Sequence, residues 1–405
     1  MSTPFRATSL KLNKELSKEV RQEQGIFFTP APARALLFET VRGLGVEAPK
    51  RILEPSFGSG EFLADAREAY PGAQIVGCEL NAVAYKAVAE GEGAAVGGPS
   101  PILAHQDFLT YSPVGKFDLI IGNPPYFVIK DKNPACMTGR PNIYVAFLYK
   151  CLEQHLADDG VLAFVLPTSL FNCSYYEPMR RYIAERCTVC LVKELDVTYY
   201  QTAQDTMLLV LRKRVDPTKA FILERNGCVY LTPHATELAG LVAGATTLKN
   251  IGWNVKTGDV VWNQEKEKLV DGPAEDATLL IYSTNIVKGE GLVVGNIVDK
   301  KGEKKQYIKG FKKAPVRGPA ILANRGYGNT YSFNYVAIEE GREFFAENHV
   351  NMILPTGGDA TGTESHMGTI LASFADARTA RFVELFFGNG AVSKTELEQV
   401  LPIYI

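Results

Sequence analysis

The chain lacks any excess of positive charge: 43 Lys and Arg stand against 45 Asp and Glu, a formal net charge of −2. Taken alone, that balance counts against a nucleic-acid partner, whose phosphates usually demand surplus Lys and Arg. No run of about eighteen apolar residues occurs, and Met1–Arg6 opens without the apolar stretch of a secretory signal. A membrane span and a membrane partner are therefore not expected. The seven cysteines are scattered and odd in number, which argues against a disulfide framework and for free thiols in a reducing compartment. Only Cys187 and Cys190 form a C-x-x-C, without a second pair or histidines at ligand spacing, so no metal site is expected. Internal repeats and low-complexity segments are also missing. What remains is an ordinary globular composition, 46% hydrophobic over 405 residues, long enough for two or three domains of a soluble, cytoplasmic protein.

The average charge hides a local asymmetry. Between Lys300 and Arg325 nine basic residues (Lys300, Lys301, Lys304, Lys305, Lys309, Lys312, Lys313, Arg317 and Arg325) face one acid, Glu303. Such a segment is a candidate phosphate-contacting face, with a solvated lysine-rich loop as the plainer reading.

From Arg51 to about Arg214, short apolar runs alternate with longer amphipathic ones, the pattern of strand–helix units on a mostly parallel, doubly wound α/β sheet. Predicted strands are Arg51–Glu54, Gln74–Glu79, Phe117–Gly122, Gly160–Val165, Cys187–Val192 and Thr206–Leu211, with a further apolar run before His105. Past Arg214 helical periodicity fades and short strand-like runs such as Asp259–Trp262 and Ala320–Ala323 alternate with turn residues. Three segments are expected: an N-terminal helical extension over 1–24, read as a solvated helix, a Rossmann-like α/β domain over 25–215, and a mixed, β-rich domain over 216–405. Near the C-terminus, Ala377–Gly388 and Ser393–Val400 read as helices, the second opened by a capping box.

Leu53-Glu-Pro-Ser-Phe-Gly-Ser-Gly-Glu-Phe62 follows a strand and precedes a helix, the context in which a glycine loop carries meaning. Gly58 and Gly60 permit a tight turn close to a ligand, and the helix beyond offers free N–H groups to a carboxylate. Glu79, nineteen residues after Gly60, ends the next predicted strand, where an acid accepts the ribose hydroxyls of a nucleoside. Asp107 is placed to accept from an adenine amine, with Phe108 beside the ring. A dinucleotide enzyme would show a third glycine where Leu63 stands, so the loop favours a ligand without pyrophosphate; S-adenosylmethionine, an adenosine joined to an amino-acid zwitterion, fits.

Asn123-Pro-Pro-Tyr126 follows a buried strand directly. The lone pair of adenine N6 is delocalised into the ring, so a catalyst must favour the pyramidal amine. The Asn123 side-chain oxygen and the Pro124 carbonyl suit both N6 hydrogens. Pro124 and Pro125 stiffen the loop and keep that carbonyl aimed. Tyr126 offers an aromatic face for an extruded base.

These residues resemble the γ-class adenine-N6 DNA methyltransferases of restriction–modification type. Gly25-Ile-Phe-Phe-Thr-Pro30 is similar to that family's first cofactor segment, which implies that Phe28 and Thr29 touch S-adenosylmethionine. The resemblance implies the same for Glu54, Pro55, Ser56, Phe57, Gly58, Gly60 and Phe62 in the loop, for Glu79 and Leu80, for Asp107 and Phe108, and for Asn123 and Pro125. Asn142–Leu148 and Leu162–Pro167 resemble the helix and strand that follow the catalytic motif. An aromatic residue that packs on the flipped base is matched by Val197-Thr-Tyr-Tyr200, with Tyr200 favoured. The likeness covers about residues 25–213 and is looser beyond, where Gly258–Gln264 and Phe386–Pro402 are similar to target-recognition domains.

The resemblance implies double-stranded DNA as partner, a monomer, prokaryotic or viral origin, and a companion restriction endonuclease acting separately. The basic segment Lys300–Arg325 is the candidate for DNA-backbone contacts, and Tyr327, Asn329 and Tyr331 are weaker candidates for base edges. RNA adenine or guanine N-methylation and protein glutamine N-methylation use the same Asn-Pro-Pro-Tyr logic and stay open as alternatives. Cytosine-N4 methylation is disfavoured by the Asn at the head of the motif, and a non-enzymatic DNA-recognition protein by the intact motif.

Overall fold

The computed structural model describes residues 5–92, 98–130, 133–195, 205–215, 218–287, 289–295, 298–299, 302–326, 332–356, 360–387 and 392–405. Two compact units divide between Ala235 and Thr236.

The first unit is built on seven strands: β1 (Arg51–Glu54), β2 (Gln74–Glu79), β3 (Ile102–His105), β4 (Phe117–Gly122), β5 (Leu156–Pro167), β6 (Thr188–Leu195) and β7 (Thr206–Arg212). They form one sheet in the order β3-β2-β1-β4-β5-β7-β6. Every pairing from β3 to β5 is parallel, while β7 runs antiparallel to both β5 and β6. This is the doubly wound, mostly parallel sheet expected. Its central strands are apolar almost throughout because both faces are covered. In β4, Phe117 and Ile120 join the core on one face while Leu119 and Ile121 join the other. In β5 the alternation is strict, with Leu162, Phe164 and Leu166 in one core and Val161, Ala163 and Val165 in the other, whereas β4 shifts register between Phe117 and Leu119. Period-two alternation thus feeds two cores from one strand, each fully buried side chain contributing roughly 1.5–3 kcal/mol.

Six helices of this unit bear on the site: α1 (Ala7–Glu15), α2 (Lys18–Gln24), α3 (Ala31–Gly43), α4 (Glu61–Ala69), α5 (Ala82–Glu92) and α6 (Ile143–Lys150). The N-terminal segment is not the solvated helix expected. Leu12 and Leu16 are buried with Ala84, and Val20, Ile26, Phe28 and Ala87 pack around them. The Ser9 hydroxyl donates to Glu61 at 2.5 Å and lies 2.7 Å from the Ser59 hydroxyl, from which it can accept, so α1 is tied to the glycine loop. Only its outer face is solvated, where Lys11 lies 3.8 Å from Glu15.

The first unit also extends past the boundary expected at 215. The hairpin Ile222–Arg225/Cys228–Leu231 is antiparallel, and the buried Arg180 in the helix Glu177–Arg186 donates to its Val229 carbonyl at 2.5 Å.

The second unit is mixed and strand-rich. A four-stranded sheet runs Trp253–Thr257, Val350–Pro355, Ala320–Asn324, Tyr335–Ile338, and a five-stranded sheet runs Leu269–Val270, Tyr307–Lys309, Ala277–Ile281, Glu343–Ala346, Val316–Arg317. The strand expected at Asp259–Trp262 is reduced to one bridge, Val260 to Glu347, before a 3-10 turn begins at Trp262. Gly258 allows the close approach there: a Cβ on it would lie 2.2 Å from the Glu347 carbonyl oxygen. The helix Ala377–Phe387 buries Phe382, Val383, Phe386 and Phe387, and Lys394–Gln399 opens on the capping box of Ser393 and Glu396. No helix among the described residues is long and apolar enough to cross a membrane.

Candidate active site

The sheet order reverses between β1 and β4, which pair through Leu53 and Ile120. At such a switch point the loops leaving the two strands diverge, and the crevice between them is where ligands of open α/β sheets bind. The glycine loop leaves β1 and Asn123-Pro-Pro-Tyr126 leaves β4, so topology alone brings them together.

They line one open cavity of about 890 Å³, the solvent at its mouth included, together with Glu79 and Leu80 at the end of β2 and Asp107 and Phe108 after β3. Of the fifteen residues expected to bind the cofactor, only Gly60 is not in its wall. Gly60 instead starts α4 with φ of 75°, where an added Cβ would press on the Val88 methyls at 3.1 and 3.2 Å. Pro124 and Tyr126 also stand outside the wall, whereas Gly25, Phe27, Gln106, Phe127 and Phe147, not singled out as contacts, belong to it. Gly25 ends α2 with φ of 64°, and a Cβ there would lie 2.7 Å from the Tyr126 nitrogen, so only glycine lets this segment pass the motif so closely.

Glu79 holds the loop as well as facing the cavity. One carboxylate oxygen accepts the Gly58 N–H at 2.7 Å and the other the Asn81 N–H at 2.8 Å. Burial raises its pKa, and those amides oppose the rise. Glu54 is buried more deeply. Burial, then the charges of Glu79 and Asp65, push its carboxyl well up, against the pull of Arg34. Among the described residues its Oε2, like the Ser56 hydroxyl beside it, has no hydrogen-bond partner. A buried carboxylate oxygen and a hydroxyl left unsatisfied in a cavity wall suit the ammonium group of an amino acid, so the residues fit S-adenosylmethionine.

Asp107 turns the chain after β3, its side chain accepting the Leu109 N–H at 2.9 Å. Lys150, at the end of α6, fastens that turn by donating to the carbonyls of Phe108 (2.8 Å), Leu109 (3.0 Å) and Tyr111 (2.8 Å). An ammonium has three N–H donors, and here each meets an oxygen.

Asn123 donates from Nδ2 to the Phe27 carbonyl at 3.3 Å and to the Thr29 hydroxyl at 3.0 Å, while its Oδ1 accepts the Tyr126 hydroxyl. That hydroxyl has a second acceptor, the Val165 carbonyl, at 2.8 Å. The Tyr126 ring lies 6.4 Å from Phe27 in a stacked arrangement and meets Tyr144 edge-on at 5.8 Å.

The basic residues are contiguous in sequence but not on the sheet. Lys309 ends the second strand of the five-stranded sheet and Arg317 lies on its far edge, with two strands between them. Lys305 pairs with Asp271 at 3.5 Å and Lys313 with Asp259 at 2.5 Å, whereas Lys304 lies over the rings of Tyr282 and Trp262 at 5.0 and 5.5 Å. Lys309, Lys312 and Arg317 are exposed, and Arg325 donates to the Asn348 carbonyl at 3.5 Å. Tyr200, Lys300, Lys301, Tyr327, Asn329 and Tyr331 lie outside the described residues.

Residues 96–198 match the family of Eco57I restriction-modification methylases. Over 99% of its length the chain is 34% identical to the type II methyltransferase M.CvrRI of Paramecium bursaria Chlorella virus XZ-6E, covering 99% of that protein. It is 42% identical to the modification methylase CviBIII of Paramecium bursaria Chlorella virus NC1A over 42% of this chain and 45% of that one. A tRNA1(Val) (adenine(37)-N6)-methyltransferase of Bacteroides thetaiotaomicron is 29% identical over 31% of this chain and 55% of its own length. A match along the whole chain, joined to a cavity that suits a nucleoside carrying an amino acid, leads to one family: the chain belongs to the type II DNA methyltransferases of restriction–modification systems, which take their methyl group from S-adenosylmethionine.

Proposed function

We propose that the chain methylates the exocyclic N6 of adenine within a specific sequence of double-stranded DNA, after the base has been turned out of the stack. The observation that carries this reading is the position of Asn123 in the wall of the cavity that Glu54 and Glu79 also line. S-adenosylmethionine supplies, when bound, a methyl group on a sulfonium. Glu79 accepts the ribose hydroxyls on the lone pairs left by Gly58 and Asn81, Asp107 takes the cofactor's adenine amine, and Glu54 with Ser56 receives the ammonium. Asn123 Oδ1 and the Pro124 carbonyl accept the two N6 hydrogens. That draws the nitrogen toward pyramidal geometry and stabilises the positive charge it gains as the N–C bond forms and the methyl–sulfur bond breaks, its electron pair staying on sulfur; one N6 proton then leaves to solvent. Tyr126 and Tyr200 stack on the extruded base.

Residues 236–405 form the target-recognition unit, with backbone phosphates taken by the Lys300–Arg325 segment, and the enzyme works as a monomer apart from its endonuclease. RNA is the second reading, favoured by the tRNA methyltransferase that aligns with part of this chain. Transfer of labelled methyl to mixed-sequence duplex DNA, RNA and cell protein in parallel, followed by nucleoside analysis, tests both. N6-methyladenine in DNA alone is expected; label confined to RNA or protein overturns the substrate.

A further inference from the structure

The two ends of a carboxamide have nearly the same shape, but only the oxygen accepts a hydrogen from an amine. Which end of Asn123 faces the target therefore decides whether the site works. In this chain the nitrogen end is held. Nδ2 donates to the Phe27 carbonyl and to the Thr29 hydroxyl, at 3.3 and 3.0 Å. A carbonyl accepts only, so the exchanged orientation would set the Asn123 oxygen against the Phe27 oxygen. Thr29 is 3% exposed, and its own carbonyl accepts the Arg34 guanidinium at 2.5 Å. Arg34, 4% exposed, is braced by Glu61 at 2.8 Å and Asp65 at 2.6 Å in α4. The oxygen end meets only the Tyr126 hydroxyl among these groups, and that hydroxyl has the Val165 carbonyl to turn to.

We infer that Thr29 is a positioning residue: its hydroxyl, which can serve either end of an amide, holds the Asn123 carboxamide in the orientation that the accept-only Phe27 carbonyl selects, so that oxygen rather than the NH₂ group is presented to the target amine. This rests on the reading of Asn123 given above and is separate from any contact Thr29 makes with the cofactor. Its consequence is a loss in the chemical step that saturating cofactor does not restore. Thr29→Val keeps the shape and removes the hydroxyl, leaving the Phe27 carbonyl to hold the amide alone.

The test measures single-turnover transfer of tritiated methyl from saturating S-adenosylmethionine to unmethylated mixed-sequence duplex DNA, alongside cofactor affinity by calorimetry. At saturating cofactor Thr29→Val is expected to slow transfer about threefold to tenfold, the worth of one ordinary hydrogen bond, over and above any loss of cofactor affinity that its place in the cavity wall brings. Thr29→Ser, which restores the hydroxyl, is expected to recover the rate. A Thr29→Val rate equal to the parent's, a Thr29→Ser variant equally slow, or a loss found only in cofactor affinity would each overturn the inference. Should Thr29→Val not fold, Thr29→Ala against Thr29→Ser gives the same comparison. Asn123→Ala in the same series separates the two levels. If it is inactive while Thr29→Val is normal, only the role of Thr29 falls; if Asn123→Ala keeps the parent rate, the reading of Asn123 falls with it.

Discussion

Glu79 accepts the N–H of Gly58 at 2.7 Å across twenty-one residues of sequence, so the acid at the end of one strand holds the glycine loop that leaves its neighbour. The same carboxylate accepts the Asn81 N–H, which ties its charge to the backbone that follows β2 as well as to the loop that follows β1. Glu79→Ala would remove this clamp together with the group facing the ribose. Cofactor affinity is expected to fall by about one to two powers of ten, the range for hydrogen bonds to a charged group. Calorimetric titration checks it, and unchanged affinity would take Glu79 out of the ribose site.

Asn123→Ala changes another residue of the same cavity wall. It removes one of two acceptors for the target amine, so methyl transfer is expected to drop by at least about a hundredfold, as when one preorganised polar group is lost from a catalytic site. Cofactor affinity should change little. Equal losses in both would mean that Asn123 serves the cofactor rather than the base.

Lys150→Met would leave three carbonyl oxygens in the turn beside Asp107 without their donor. Stability is expected to fall by about 1–3 kcal/mol, and cofactor affinity by roughly tenfold as Asp107 loses its fixed position. The single-turnover rate at saturating cofactor should stay near the parent's. A loss of stability with normal affinity would limit Lys150 to a structural role.

Glu54 gives a pH dependence opposite to that of most carboxylates. Its pKa in the fold lies well above the ordinary 4.5 through burial, so the folded chain keeps a proton that the unfolded chain has released. Stability on this account is full below the unfolded value and is lost as pH rises through the folded one. Glu54→Gln cannot ionise and is expected to melt at a higher temperature than the parent at about pH 8 but not at about pH 4, while binding the cofactor less tightly. Thermal melts across that range would detect the divergence. Parallel curves would show that the Glu54 proton is not linked to folding.

Lys309 and Lys312 are exposed in the basic segment. Replacing both by Glu is expected to weaken binding to duplex DNA of any sequence and to lower the slope of log affinity against log salt by about one to two. Cofactor affinity should not move. An unchanged slope would remove these lysines from the phosphate contacts.

Arg34 and Lys150 were legible in part. In α3, Arg34 shares a stripe with Leu37, Phe38 and Val41, and in α6, Lys150 shares one with Ile143 and Phe147. A charge on an apolar stripe signals a buried partner, because burying it unpaired would be too costly. Its spacing does not name that partner. Likewise Leu12, Leu16 and Val20 recur every four residues, a covered face that the surrounding lysines and glutamates concealed.

The sequence by itself determined the features that need only neighbours in the chain. Among them are the apolar runs of β1, β4 and β5, the glycine turn at Gly58–Gly60, the strand-ending Asn123-Pro-Pro-Tyr126 and the capping box at Ser393. Strand propensity, φ and proline stiffness act over a few residues, so they can be read locally. Tertiary structure alone decided that β7 enters the sheet between β5 and β6, that α1 docks on Ser59 and Glu61, and that Thr29 meets the Asn123 amide. Each of these is a contact between segments far apart in sequence. The packing of two cores around one sheet selects such contacts, and no periodicity within either segment encodes them.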